Sequence, residues 1–252
     1  VRPPVLCAGC PHRASFYAVK QAMKKQPYVC TGDIGCYTLG NAKPLDMVDT
    51  CLCMGGGITV AQGISQAGNP SKQIAFIGDS TFFHSGITGV VNAVYNQADI
   101  TIIIVDNSTT AMTGHQPHPG TGKTMMNEVT TAVDLAAVLK GCGVKQVQTL
   151  SPLDLPQAIQ AVKKAVDYPG VSAIIFQAPC IALYKPQRHF TIQENCTNCK
   201  RCIKAIGCPA LTVSVAENGK QTVQIEPTLC YGCGLCSHVC PSNAIGGVSH
   251  ES

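Results

Sequence analysis

Three short runs along the chain, Ile74-Ala-Phe-Ile77, Ile100-Thr-Ile-Ile-Ile-Val105 and Val171-Ser-Ala-Ile-Ile-Phe176, are almost continuously apolar and rich in β-branched residues. A strand apolar on both faces suits a parallel sheet covered on both sides. Around and between the runs lie stretches that read as helices: Ser15 to Lys25, Gly86 to Gln97, Asp134 to Gly141 and Asp154 to Asp167. Ser151-Pro152 ahead of Asp154 marks a helix start, and Gly170 lies beyond its end. Strand–helix alternation of this kind predicts a doubly wound α/β sheet over residues 1–185. Ligands are then expected in the loops at the carboxyl ends of its strands.

The pattern changes at Tyr184-Lys-Pro-Gln-Arg188, and a second, smaller domain is expected over residues 186–252. It holds an internal repeat, one copy near residues 194–212 and the other near 228–246. Asn218-Gly219 between Thr212-Val-Ser-Val215 and Thr222-Val-Gln-Ile225 is a hairpin signal, so a short antiparallel ribbon is predicted between the copies.

Each copy of the repeat carries cysteines at fixed spacing. The first reads Cys196-Thr-Asn-Cys199-Lys-Arg-Cys202 and then Cys208-Pro209; the second reads Cys230-Tyr-Gly-Cys233-Gly-Leu-Cys236 and then Cys240-Pro241. A C-x2-C-x2-C run followed by Cys-Pro, given twice, is the ligand pattern of a ferredoxin-like domain with two [4Fe–4S] clusters. In such proteins the fourth cysteine of each run serves the other cluster. One cluster therefore takes Cys196, Cys199, Cys202 and Cys240, and the other takes Cys208, Cys230, Cys233 and Cys236. Five residues separate Cys202 from Cys208, against three between Cys236 and Cys240, so the surroundings of the second cluster depart from the usual pattern. Structural zinc is the competing reading; it needs four ligands and leaves the third evenly spaced cysteine of each copy without a purpose.

Composition narrows the setting. Of 252 residues 45% are hydrophobic and 13% charged, which points to apolar surface covered by partner chains. A net charge of +4 without a basic block argues against nucleic acid. No apolar run reaches the length of a membrane span and no basic–apolar–small leader opens the chain; the cysteine spacings are thiolate–metal spacings rather than disulfide ones, so a reducing, low-oxygen cytoplasm is expected. A start at Val1 rather than Met reads as a fragment, a processed chain or one product of a larger reading frame.

Strand Ile74–Ile77 runs into Gly78-Asp79-Ser80, and the next long strand ends in Asp106-Asn107-Ser-Thr109. A carboxylate and an amide oxygen at adjacent strand ends are hard ligands suited to Mg²⁺ on a diphosphate. Gly78 admits the phosphates, and the helix after Ser85-Gly86 is expected to present its N-terminus to them. A plain strand-end turn is the alternative for Gly-Asp. Gly-Asp-Ser followed at this interval by Asn resembles the thiamine diphosphate motif. That resemblance implies Asp79, the Asn107 side chain and the Thr109 carbonyl as Mg²⁺ ligands. Met54-Gly55-Gly-Gly57 allows close approach of a flat ring or phosphate, or is simply the first turn of a helix. The loop Thr113-Gly-His115-Gln-Pro-His118-Pro-Gly-Thr121-Gly has no packing period and is expected to cover the cleft. His115 and His118 are read as solvated loop residues, and His84 as a weak candidate for cleft chemistry.

The other cysteines divide in two. Cys7-Ala-Gly-Cys10, Cys36 and Cys180 are distant in sequence, yet strand ends can bring them together around a third cluster, although C-x2-C also suits zinc and redox sites. Cys30, Cys51, Cys53 and Cys142 sit in apolar or glycine-rich surroundings and are expected as packed thiols.

Cys7-Ala-Gly-Cys-Pro-His-Arg13, Gly32-Asp-Ile-Gly-Cys-Tyr-Thr-Leu-Gly40, Asp49-Thr-Cys-Leu-Cys-Met-Gly55, Gly78-Asp-Ser-Thr-Phe-Phe-His-Ser-Gly86 and the final cysteine repeat together resemble the 2-oxoacid:ferredoxin oxidoreductases, closest to the carboxy-terminal half of the indolepyruvate-type alpha subunit. The likeness implies a sheet of the thiamine diphosphate-binding type, with the cofactor against Gly35, Cys36, Met54, Gly55, Gly78, Asp79, Ser80, Asn107 and Thr109. It implies Cys7, Cys10, Cys36 and Cys180 as ligands of a cluster beside the cofactor. It also implies oxidative decarboxylation of an arylpyruvate such as indolepyruvate with coenzyme A, and electron delivery to ferredoxin. The family's pyrimidine-binding domain, with the glutamate that activates the ring, lies upstream of the matching region, so other subunits, or a missing part of this chain, are expected to supply it. A sister enzyme using pyruvate or a branched 2-oxoacid, and an electron-transfer subunit without its own catalysis, are the alternatives.

Overall fold

A computed structural model describes residues 3–186 and 188–249, without the side chains of Val248 and Ser249. Helix α1 (Pro11–Ala22) precedes β1 (Tyr28–Gly32); a 3₁₀ turn over Cys36–Asn41 and the short β2 (Thr50–Cys51) lead to α2 (Gly56–Gln66) and β3 (Lys72–Gly78). Next, α3 (Asp79–Thr81) continues through a π-helical turn (Phe82–Gly86) into α4 (Ile87–Tyr95) and then β4 (Ile100–Asp106). Beyond a long loop come α5 (Leu135–Gly141), β5 (Gln146–Leu150), α6 (Leu155–Val166) and β6 (Val171–Gln177). The six strands form one parallel sheet in the order β2-β1-β3-β4-β6-β5.

The apolar runs make the centre of this sheet, and their alternate residues feed opposite cores. Ile74, Phe76, Ile103, Val105, Ile174 and Phe176 face one side with α1 and α6, where Phe16 and Phe76 stack 4.4 Å apart. Ala75, Ile77, Ile102, Ile104, Ala173 and Ile175 face the other, with Ile58 of α2, Val90 of α4 and Leu139 of α5. Burial of both faces explains why these strands read as unbroken apolar runs rather than alternating ones.

Two helices differ from their sequence reading. The first starts at Pro11 and ends at Ala22, not Ser15 to Lys25. Proline suits the first helical turn, and the polar pair His12-Arg13, which hid the start, is buried. The helix expected over Gly86–Gln97 begins at Asp79, so the N-terminus near the candidate phosphate site lies at Asp79-Ser80, not after Gly86. Asp134 and Asp154 cap α5 and α6 by accepting from backbone N–H groups, as their positions suggested.

The remaining chain holds β7 (Arg188–Ile192), α7 (Arg201–Ile206), β8 (Leu211–Val215), β9 (Gln221–Ile225), α8 (Leu235–Val239) and β10 (Ile245–Ser249). β8 and β9 form the expected antiparallel ribbon around Asn218-Gly219, and β7 pairs antiparallel with β10. Within the expected linker, Gln187 lies outside the described residues. Phe190, Ile206, Leu211, Leu235 and Ile245 join the same apolar core as α1 and α6, so the cysteine-rich part packs against that layer of the sheet.

Candidate cofactor cleft and cysteine relay

The carboxyl ends of β1, β3 and β4 are neighbours, and a cleft opens there. Gly35, Cys36, Met54, Gly78, Asp79, Ser80, Asn107 and Thr109 line it together. Gly55, expected in the same group, stands behind the wall; its N–H donates to Asp33 Oδ2 at 2.9 Å. Thr110 to Thr113 also line the cleft; of the loop expected to cover it, Thr113 is the residue that reaches it, while Pro117, His118 and Pro119 line a separate groove.

Asp79 is buried and its two oxygens are used unequally. Oδ2 accepts from Asn107 N–H (3.1 Å), Ser108 N–H (2.9 Å) and His118 Nε2 (3.1 Å), whereas Oδ1 accepts from Ser80 N–H at 2.8 Å. Burial alone would raise the Asp79 carboxyl, but His118 and a hydrogen bond from Asp106 hold it below the usual range. Asp106 is displaced the other way, up to about 6, by burial first and then by its neighbour Asp79. The Asn107 side-chain oxygen accepts from Thr109 N–H at 3.3 Å, and among the described residues the Thr109 carbonyl accepts no backbone hydrogen bond. An ionised carboxylate with one lightly engaged oxygen, an amide oxygen and a free carbonyl fit a magnesium ion.

His118 corrects the sequence reading. It is buried rather than solvated. Its Nδ1 accepts from Gly120 N–H at 3.2 Å, so Nε2 carries the proton and donates to Asp79. Its proline- and glycine-rich setting suggested loop, and only the fold brings it to Asp79. His115 is exposed, as expected. His84 is also exposed, contacts Ser85 Oγ, and lines a groove with Pro117 and His118 rather than the cofactor cleft, so it is a poor candidate for chemistry.

Three further buried groups escaped the sequence reading. Asp33 accepts from the Tyr37 hydroxyl and from Gly55 N–H, and burial lifts it to about 6 despite those bonds. His12 lies 3.4 Å from the Asn107 amide, and burial drives it down to about 4, so it stays neutral. Asp106 holds Ser108 N–H and Gln177 Nε2. Asp33 and His12 stand inside the motifs Gly32-Asp-Ile-Gly and Cys-Pro-His-Arg13, which was the available signal.

The cysteines fall into three neighbouring sets. Cys36 lines the cofactor cleft and is in electrostatic reach of Cys180 and Cys7, while Cys10 is in reach of Cys7 and Cys36; burial pushes the Cys10 thiol up to about 12. Cys208, Cys230, Cys233 and Cys236 line a single cavity, and burial raises Cys236 well above an ordinary thiol. Cys202 is in reach of Cys240 and Cys199, and of Cys236 in the preceding set. Cys196, half-buried, joins this last set by its place in the run. Among the described residues no three His, Cys, Asp or Glu side chains converge tightly enough to hold a single metal ion. Cys208, Cys230, Cys233 and Cys236 share one cavity, as four thiolate ligands of a single inorganic cluster must. Cys30 is buried and Cys142 half-buried, as expected, but Cys51 and Cys53 are exposed, because β2 is only two residues long and lies at the sheet edge.

Comparison with known proteins agrees with this geometry. Residues 33–176, more than half of the chain, match the family "Thiamine pyrophosphate enzyme, C-terminal TPP binding domain", and residues 195–244 match "4Fe-4S dicluster domain". Among curated relatives, the indolepyruvate oxidoreductase subunit IorA of Archaeoglobus fulgidus is 42% identical over 97% of this chain, and that of Thermococcus kodakarensis is 40% identical over 96%. The chain spans only 40% of the length of either relative. A solved 2-oxoglutarate:ferredoxin oxidoreductase from Magnetococcus marinus shares the fold with a TM-score of 0.60 at 18% identity, over 71% of this chain and 65% of that one. The cleft, the cysteine repeat and these matches lead to one conclusion: the chain belongs to the thiamine pyrophosphate enzymes, with a 4Fe-4S dicluster domain following the cofactor-binding one.

Proposed function

We propose that this chain is the cofactor-holding and electron-conducting part of a subunit that oxidatively decarboxylates a 2-oxoacid, with coenzyme A as acyl acceptor and ferredoxin as electron acceptor. Residues 1–185 form the thiamine diphosphate and magnesium domain, and residues 186–252 the two-cluster ferredoxin-like domain. The observation that carries the reading is a shared wall: Cys36 lines the cleft with Asp79 and Asn107 and also lies within reach of Cys7 and Cys180. An electron source and its first acceptor would thus be neighbours.

Asp79, Asn107 and the Thr109 carbonyl would hold magnesium on the diphosphate, with Ser80 at the helix start beside it. Thiamine diphosphate, when bound, supplies an electron sink for decarboxylation. Asp33, Tyr37 and Gly55 stiffen the wall beside Gly78, and neutral His12 orients the Asn107 amide. From Cys36 and Cys10 the order of cysteine sets runs to Cys208 and Cys233 and then, through Cys236, to Cys202, which is a route for single electrons.

An arylpyruvate of the indolepyruvate type is the proposed substrate, by analogy with the named relatives. Partner subunits are supported by the apolar rim of the cleft, where Ile34, Met54 and Met112 are exposed; another chain, or a further part of this polypeptide, would supply the pyrimidine-binding domain. Among the described residues no helix is long and apolar enough to cross a membrane, and a cytoplasmic location is proposed. The test is thiamine, magnesium, iron and sulfide analysis of the anaerobically purified complex, with ferredoxin reduction assayed across indolepyruvate, pyruvate and branched 2-oxoacids. Reduction with pyruvate alone would transfer the assignment to the sister enzyme, and absence of thiamine diphosphate would reduce the chain to an electron carrier.

A further inference from the structure

Arg13 is 4% exposed and has no carboxylate partner among the described residues. Its guanidinium spans the two parts of the chain. Nη1 donates to the Ile206 carbonyl at 2.6 Å and the Gly207 carbonyl at 3.0 Å; Nη2 donates to the Leu6 carbonyl at 2.5 Å and the Cys7 carbonyl at 3.4 Å. Its buried Nε has no hydrogen-bond partner. Carbonyl dipoles solvate a cation but do not neutralise it, and an uncompensated buried charge is costly. The groups in electrostatic reach of Arg13 are thiols from two different sets: Cys208 and Cys233 on one side, Cys10 and Cys7 on the other.

The accepting carbonyls explain the irregular repeat. Ile206 and Gly207 are the last two of the five residues between Cys202 and Cys208, where the second copy has only three between Cys236 and Cys240. They lengthen α7 and end it at Gly207, which adopts a left-handed φ of +58° with its Cα packed on Pro44; a Cβ there would lie 2.5 Å from the proline ring. Gly9, also left-handed at φ +77°, brings the Cys7–Cys10 turn against Tyr231, inside the Cys230–Cys233 run. Two backbone approaches that only glycine permits therefore close around the guanidinium.

We infer that Arg13 is the shared counter-cation of two iron–sulfur clusters, the one held by Cys7, Cys10, Cys36 and Cys180 and the one held by Cys208, Cys230, Cys233 and Cys236, and that the two extra residues before Cys208 exist to hold it between them. The inference rests on the cluster reading proposed above. Four thiolates outweigh the charge of a four-iron core, so each cluster is anionic and becomes more so on reduction. A fixed cation between two such anions favours their reduced states, since net charge and hydrogen bonding set cluster potentials. It also links the potentials of donor and acceptor at the one step that crosses from the α/β sheet to the cysteine-rich part.

The test is a redox titration followed by electron paramagnetic resonance on the anaerobically purified complex, comparing wild type with Arg13→Met and Arg13→Lys. In Arg13→Met the ratio of reduced to oxidised form of two clusters is expected to fall roughly tenfold at a fixed solution potential, a one-electron displacement of about 59 mV downward. The cluster of Cys196, Cys199, Cys202 and Cys240 should keep its potential. Arg13→Lys, which retains the charge, should give a smaller displacement. Loss of iron in Arg13→Met with retention in Arg13→Lys supports the inference as well. Full iron and sulfide loading of Arg13→Met with all potentials unmoved overturns it, and so does equal loss of iron from both variants, which would make Arg13 a structural brace. A wild-type complex holding only about eight irons, or none, would instead remove the cluster reading itself.

Discussion

Replacing His118 with alanine is the sharpest probe of the cofactor cleft, because His118 reaches Asp79 from a loop that otherwise has few anchors. The variant removes one of three donors on Asp79 Oδ2 and leaves Asn107 N–H and Ser108 N–H in place. A hydrogen bond to a charged group contributes about 1.5–3 kcal/mol, and both partners here are buried, so solvent does little to soften the loss. Part of that loss appears as reduced stability, read as a lower denaturation midpoint. Part appears in ligand binding, since Asp79 loses the contact that aims its lightly engaged oxygen into the cleft. A share of about 1.4 kcal/mol weakens magnesium-dependent thiamine diphosphate binding roughly tenfold, measurable by calorimetry on the apo complex. His118→Gln retains an N–H donor of similar reach and should recover most of both effects. If His118→Ala binds magnesium and thiamine diphosphate as tightly as wild type and unfolds at the same denaturant concentration, the carboxylate is positioned by its backbone donors alone and the reasoning fails.

Other outcomes follow from single contacts. His12 has a folded-state pKa of about 4 against an ordinary 6.5, so between those values the unfolded chain binds a proton that the folded one refuses. Its contribution to stability is present above about pH 6.5 and is lost as pH falls toward 4; His12→Gln in the metal-free protein should flatten that part of the midpoint-versus-pH curve, and superimposable curves would refute it. Gly207→Ala should destabilise by about 1–3 kcal/mol in urea, from the left-handed backbone and the 2.5 Å approach to Pro44; a neutral result would mean the turn can shift. Phe76→Ala should cost about 3–5 kcal/mol, since Phe76 is fully buried against Phe16 at the centre of one core; a loss below about 1 kcal/mol would show that this core repacks.

The sheet was legible because its central strands are buried on both faces, which leaves a run of β-branched residues with little else to signify. The start of α6 was legible for a local reason: Ser151-Pro152 and Asp154, the chemistry that opens a helix, stand next to it. The cleft was half legible. Gly78-Asp79 and Asn107 stand at strand ends, where the fold class already places ligands, but Asp33 and His12 gain their meaning only from burial against neighbours distant in sequence. His118 was misread because a loop rich in proline and glycine looks solvated until the residue it grips is known. The helix after Asp79 was placed seven residues late, since Ser85-Gly86 resembles a start signal while the true continuation passes through a π-helical turn that no periodicity announces. Cys51 and Cys53 look like packed thiols in sequence and are exposed because β2 at the sheet edge is short and Cys53 lies in the bend beyond it.

The core that joins Phe16 and Val19 of α1 to Ile206, Leu235 and Ile245 has a consequence for biosynthesis. Helix α1 keeps part of its apolar face bare until the cysteine-rich part has been translated, and the Arg13–Ile206 bond closes a loop of 193 residues. Such distant pairings are slow to form and leave greasy surface uncovered in the meantime. Nascent chains stalled short of residue 190 should therefore be clients of holdase chaperones, and iron loading should await the moment when the cysteine-rich part meets α1.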